Sequence, residues 1–176
     1  MGLVEFLAVR LQRALQHRKM REFNRRVSLG DLITDRWENA RQYGFGEGSS
    51  MYDNVLVIGD VRVGQKTWIG PNVILDGSGG GLVIGDNCTI CAGVQIYTHD
   101  SVKWALSGGM SQYERSPTSI GSNVFIGPNA VIARGVTIGD GAAIGALTFV
   151  NKSVPAGAKF VGTAGMPPSR ELAAQQ

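Results

Sequence analysis

The chain has 176 residues, 43% hydrophobic and 18% charged, with a formal charge of +3 and 25 glycines. That length offers one core, and no apolar run is long enough to cross a bilayer. The first 26 residues lack the sustained apolar centre and small-residue cleavage site of a secretory signal, so a cytoplasmic protein is expected.

The N-terminal 28 residues come first. Leu3, Leu7, Leu11 and Leu15 recur at four-residue spacing among Arg10, Arg13, Arg18, Lys19, Arg21, Arg25 and Arg26, which predicts a basic amphipathic helix. Such a helix either caps the open end of the domain that follows or rests on an anionic membrane surface, and capping is the preferred reading. Nucleic acid is not an expected partner, because the cluster lacks stacking aromatics beyond Phe6 and Phe23. Residues 29–53 read as a connecting segment.

From residue 54 to 163 the pattern changes. An aliphatic residue returns every sixth position at Ile120, Ile126, Ile132, Ile138, Ile144 and Val150, and in the same phase at Val63, Ile69, Leu75, Ile84, Ile90 and Ile96. A helix repeats at 3.6 and a strand at two, so a period of six needs short strands with a corner built into each unit. Four places after the aliphatic anchors come Val124, Ala130, Val136, Ala142, Thr148 and Val154, small enough to share a narrow core. Asn123, Asn129, Gly135 and Gly141 are residues that tolerate positive φ, as the corner of each unit would allow. The segment therefore reads as an all-β coil of short parallel strands, a hexapeptide-repeat β-helix.

Two interruptions stand out. Leu75 to Ile84 is three residues too long, matching the run Gly79-Gly80-Gly81, which is expected to bulge outward. Between Ile96 and Ile120 the period vanishes, and residues 100–118 read as a protruding loop carrying Lys103, Trp104, Met110, Tyr113, Glu114 and Arg115. Long loops on rigid scaffolds carry function, which makes Trp104 and Tyr113 candidate acceptor contacts. Cys88 and Cys91 form a C-x-x-C spacing, but the register puts Cys88 at a small inward position and Cys91 at a corner, a structural reading. A β-helix zinc hydratase needs three imidazoles, and only His17 and His99 are present; no metal is expected.

The hexads, Ile84-Gly85-Asp86-Asn87-Cys88, Ile96-Tyr97-Thr98-His99 and Gly135-Val136-Thr137-Ile138-Gly139-Asp140-Gly141 resemble the hexapeptide-repeat acetyltransferases, with the maltose and galactoside O-acetyltransferases as the nearest branch. The resemblance runs from Asn54 to about Pro168. It implies a left-handed parallel β-helix, an exception to the right-handed crossover rule, three chains packed side by side as a homotrimer, and acetyl-CoA as acetyl donor. His99 matches the family's catalytic histidine, a general base for a sugar hydroxyl attacking a thioester, with backbone N–H groups at a coil corner meeting the oxyanion. Gly127, Pro128, Gly145 and Ala146 match small residues along the pantetheine groove, and Phe125 matches an aromatic that reaches the neighbouring subunit's groove. Asn151 and Lys152 stand where the family keeps a Thr-Lys pair at the nucleotide end. Arg170, in the tail formed by residues 164–176, stands near the family's basic phosphate contact but is displaced.

The front half departs from that branch. No equivalent of its sugar-binding helical aspartate can be placed, and Ile69-Gly70 replaces an Asn-Phe pair. Asp76 alone matches an acceptor-contacting carboxylate. The expected activity is acetyl-CoA-dependent O-acetylation of a saccharide acceptor, such as a sugar unit of a bacterial surface polysaccharide. N-acetylation of a nucleotide-linked amino sugar and a non-catalytic β-helix scaffold are the alternatives.

Overall fold

The computed structural model describes residues 2–161; Arg170 and residues 164–176 lie outside them. The hexads build six coils. One face stacks the parallel pairs Ser50–Met51, Trp68–Ile69, Thr89–Ile90, Phe125–Ile126, Ala143–Ile144 and Lys159–Phe160. A second face stacks Leu56 on Ile74, then Gln95, Val131 and Phe149. The third runs through Val63, Ile84, Ile120 and Ile138 to a bridge with Val154. One turn of the coil is eighteen residues, as in Phe125 pairing with Ala143.

The inner strands of the coil each turn one aliphatic residue inward. Ile69, Ile90, Ile126 and Ile144 on the first face, Leu75, Ile96, Ile132 and Val150 on the second, and Ile84, Ile120 and Ile138 on the third are all at most 1% exposed. Burial of each such side chain stabilises by roughly 1.5–3 kcal/mol. Cys88 fills the small inward position, its thiol donating to the Gly121 carbonyl at 3.1 Å. Burial pushes both the Cys88 and Cys91 thiols above their ordinary value, which disfavours the thiolate that redox or zinc chemistry needs.

The corners take left-handed backbone at Asn72 (φ 58°), Asn123 (59°) and Asn129 (56°). Leu147 occupies the position one coil from Asn129 with φ 57°, where its Cβ crowds the following carbonyl. Leu147→Asn is expected to stabilise the protein by about 1 kcal/mol, seen as a higher denaturant midpoint at unchanged m-value. An unchanged or lower midpoint would show that the exposed leucine side chain contributes more than the strain removes.

The N-terminal region differs from the expectation of a capping helix. The helix α1 (Leu3–Phe23) forms, but none of its residues is buried. The open end is covered instead by residues read as a connector: α2 (Leu29–Ile33) and α3 (Arg36–Gln42) bring Leu32, Ala40 and, just beyond, Phe45 into buried positions. Asp35 caps α3 by accepting from the N–H groups of Trp37 and Glu38. Two short helices suffice because the coil end is narrow, and α1 is left projecting.

Candidate active site

Both irregularities in the repeat meet at one corner, between the second and third faces. The strand Ile74–Ile84 absorbs the three-residue excess in a register shift, with Gly80 and Gly81 at φ 126° and 99°: Gly59 pairs with Gly77, but Val61 pairs with Leu82. In the next coil, Ile96 leads through Tyr97 and Thr98 to His99. Gly79 lies against this segment so closely that a Cβ there would sit 2.0 Å from the Thr98 carbonyl oxygen, and its N–H donates to Thr98 Oγ1 at 2.7 Å. The glycine run thus lets two coils approach where the histidine emerges, rather than only accommodating a bulge.

His99 Nδ1 lies 2.6 Å from Asp76 Oδ2 and 3.2 Å from Ser78 Oγ. Asp76 Oδ1 accepts from the Ser78 N–H at 2.9 Å. The Asp76 side chain is only 1% exposed, against 35% for that of His99. Among the described residues, Oδ2 has no hydrogen-bond partner apart from its approach to Nδ1. A buried carboxylate oxygen without a donor is costly, so the arrangement is satisfied when the imidazole carries its proton on Nδ1; the tautomer follows from these partners. Burial alone would raise the Asp76 pKa, but the Ser78 hydroxyl and N–H together with the charge of His99 hold it below the ordinary aspartate value. An ionised carboxylate behind Nδ1 leaves Nε2 as the acceptor, the form of a general base.

Asp76 is therefore not placed as the acceptor contact expected from sequence: its carboxylate is turned into the coil, behind the histidine. The loop residues fare differently. His99–Asp100 and Glu114–Arg115 form a short antiparallel pair that ties down both ends of the loop, and α4 (Val102–Leu106) fills its top. The Tyr113 ring lies 6.3 Å from the His99 ring, and Trp104 meets Tyr113 edge-on at 5.6 Å. Trp104 and Tyr113 are 43% exposed, so an apolar wall stands open beside the imidazole.

One cation fastens this wall to the coil below. Arg134 Nε donates to Asp100 Oδ2 at 2.5 Å and its Nη2 lies 2.8 Å from Glu114 Oε2, while Lys103 Nζ lies 2.7 Å from Glu114 Oε1. The Arg134 guanidinium holds the Asp100 carboxyl below its usual range, and Lys103 does the same for Glu114. Sequence reading overlooked Arg134, since a corner arginine gives no signal until the loop above it is placed. Arg134→Gln should raise the KM for the acceptor about 3- to 10-fold with little change in donor affinity, and should speed proteolysis within residues 103–113. Equal losses for donor and acceptor would contradict a role confined to the loop.

The residues matched to a cofactor groove fall into two groups. Gly127 and Pro128 stack on Gly145 and Ala146 in the adjacent coil, with Leu147 N–H donating to the Pro128 carbonyl. Pro128 and Ala146 are exposed there. This corner joins the first and second faces, so it lies across the second face from His99. Exposed Asn151 and Lys152 follow Phe149–Val150 and share the His99 edge, two coils further along. Phe125 points outward from the first face, 45% exposed. A single chain does not bring all of these residues together. Among the described residues, clefts lie around the N-terminal helices, whereas His99 stands on an open wall. Among the described residues no three His, Cys, Asp or Glu side chains cluster as metal ligands.

Comparison with known proteins agrees with this architecture. The family model described as hexapeptide repeat of succinyl-transferase matches residues 60–98, and that described as bacterial transferase hexapeptide (six repeats) matches residues 117–152. The chain is 36% identical over 108 residues to the putative acetyltransferase YvoF of Bacillus subtilis, covering 61% of this chain and 49% of that protein. It is 31% identical over 112 residues to the galactoside O-acetyltransferase of Escherichia coli, covering 53% and 55%. The chain spans about half the length of these relatives. Among solved structures, the hexapeptide-repeat acetyltransferase VCA0836 of Vibrio cholerae, complexed with acetyl coenzyme A, superposes with a TM-score of 0.63 at 26% identity over 89% of this chain and 85% of that one. The N-acyltransferase AntD of Bacillus cereus, in complex with dTDP and coenzyme A, shares the fold with a TM-score of 0.62 at 20% identity, covering 74% and 76%. With eighteen-residue coils, buried aliphatic anchors and both models falling on the coiled segment, the chain is similar in fold and sequence to the hexapeptide-repeat transferases.

Proposed function

We propose that this protein is an acetyl-CoA-dependent O-acetyltransferase acting on a saccharide hydroxyl, with His99 as general base. The observation that carries the reading is the buried Asp76 carboxylate 2.6 Å behind His99 Nδ1, which leaves Nε2 free beside an open aromatic wall. A sugar hydroxyl is a poor nucleophile at neutral pH and needs such a base. As the hydroxyl oxygen bonds to the thioester carbonyl carbon, Nε2 takes its proton and the imidazolium is stabilised by Asp76. Collapse of the tetrahedral intermediate breaks the C–S bond, and the proton returns to the departing thiolate. Tyr113 and Trp104 offer the face on which a pyranose ring stacks. The match to a galactoside O-acetyltransferase supports the acceptor class, and a sugar unit of a bacterial surface polysaccharide, modified on the cytoplasmic side, is the proposed setting.

The chain is further proposed to work as a homotrimer. Outward-facing Leu56 and Phe149, 52% and 59% exposed, lie in one ladder of the second face with Ile74, Gln95 and Val131, a largely apolar strip broken only by Gln95 and suited to side-by-side packing with cyclic symmetry. In such a trimer the corner carrying Gly127, Pro128, Gly145 and Ala146 faces the His99 edge of a neighbour, so the donor groove and the base come from different chains. Exposed Phe125 would complete the neighbour's groove.

Two measurements test this. Thiol release from acetyl-CoA against a panel of sugars, amino sugars and nucleotide sugars should favour hydroxyl acceptors, whereas preference for an amino sugar would move the reading to N-acetylation. Co-refolding His99→Ala with an inactive Phe125 variant should restore activity in mixed trimers. An inactive mixture with proven subunit exchange, or a monomer by light scattering, would end the shared-site reading.

A further inference from the structure

We infer that α1 docks the protein on an anionic lipid bilayer. The helix is about 32 Å long and projects: Leu3, Val4, Leu7 and Leu11 are 74%, 80%, 56% and 59% exposed, and no residue of α1 is buried among the described residues. It is not simply loose. Gln16 fixes the returning chain, donating from Nε2 to the Arg25 carbonyl at 2.9 Å and accepting from the Val27 N–H at 3.4 Å, and Asn24 ends the helix in left-handed conformation. Exposed apolar side chains on a tethered helix call for a partner.

Charge names the partner. Residues 1–28 hold seven Lys or Arg and two Glu, a charge of +5, so with the whole chain at +3 the remainder carries −2. Exposed Leu3, Val4, Leu7 and Leu11 in the first half alternate with Arg10 and Arg13, and exposed Met20 and Phe23 in the second stand among Arg18, Lys19 and Arg21. That half leads to a cleft lined by Lys19, Phe23, Arg25, Arg36, Trp37 and Tyr52. Arg36 is stacked over Tyr52 and Trp37. The cleft's carboxylates, Asp31 and Asp35, are engaged by the N–H groups of Asp53 and of Trp37 and Glu38. Exposed apolar side chains that can enter the acyl boundary, set among cations that can meet the phosphates, are what an anionic bilayer takes up.

Other occupants fit less well. A coiled coil with a second copy would continue the Leu3–Leu7 seam through Arg10, Ala14, His17 and Arg21, which is no apolar seam. Nucleic acid would need free aromatic faces, and Phe6 and Phe23 each already carry a cation over the ring, Arg10 and Lys19 at 5.6 and 5.4 Å.

The test is cosedimentation of the full chain with phosphatidylcholine vesicles, with and without roughly one-third phosphatidylglycerol. Binding should be at least about tenfold tighter to the anionic vesicles and should weaken as salt rises from about 0.1 to 0.5 M. Arg10→Gln with Arg13→Gln should lose about fivefold per cation, and Leu7→Glu with Leu11→Glu should lose at least as much. Both variants should keep the β-helix circular dichroism, since α1 contributes nothing to the core. Equal binding to neutral vesicles would overturn the inference, as would variants that bind like wild type. A change of oligomer size in Leu7→Glu without change in vesicle binding would assign the face to a second copy instead. The readout involves no acyl transfer, so its failure leaves the proposed activity untouched.

Discussion

His99→Ala is expected to lower kcat for acetyl transfer by about 10²- to 10⁴-fold, the usual share of a positioned base, while acetyl-CoA binding is retained. The expectation follows from position: among the described residues Nδ1 has the internal partners, Asp76 and Ser78, and the ring stands at the open end of a dyad whose other member is buried. The fold should survive, because the histidine side chain is 35% exposed and water can enter the vacated space beside Asp76. Titration of acetyl-CoA by calorimetry, beside steady-state rates, separates the two functions. Near-normal turnover in the purified variant would remove His99 from the chemistry and leave the site as a scaffold feature.

Asp76→Asn is expected to cost about 10- to 10³-fold in kcat with less effect on KM. The amide removes the carboxylate that selects the Nδ1–H tautomer, and its NH₂ group can donate to Nδ1 and shift the proton to Nε2, where it blocks the base. The substitution also has a signature in stability. Because the native pKa of Asp76 is lowered from its ordinary 3.8, the ionised carboxylate contributes stability that is fully present above that ordinary value. It is lost as pH falls through the lower native value. The difference in Tm between wild type and Asp76→Asn should therefore be widest near neutral pH and narrow below about pH 3.8. A constant difference across that range would mean that the carboxylate is not preferentially ionised in the fold.

The coil was legible because its cause is local. Ile120 to Val150 announce an inward ladder at a period that only a cornered strand satisfies, and the asparagines and glycines three places on supply the backbone that corners need. The place of His99 beside the loop was legible for a related reason, since it ends a regular hexad where the pattern breaks, while its proposed role as base came from the family resemblance. What stacks across coils was not. Asp76 was read as facing the acceptor, because the hexad phase gives its position along the chain but not which way a carboxylate turns once Gly79 has drawn the next coil against it. Ser78 and Arg134 were overlooked because their partners come from other coils. The capping role of Leu32, Ala40 and Phe45 was hidden for a different reason, since α2 and α3 are too short to show a helical period.

The loop beside His99 doubles one turn of the coil: Thr89 and Phe125, neighbours in the sheet, are 36 residues apart where Phe125 and Ala143 are eighteen. Closing a segment of twice the length costs only about 0.6 kcal/mol of chain entropy, and the rungs above and below pair as though nothing intervened. A change in the length or composition of residues 100–117 is therefore nearly free for the scaffold while it rewrites the wall that faces the imidazole. Within such a coil, acceptor preference can drift through insertion and deletion at this one corner while the donor groove and the base stay where they are.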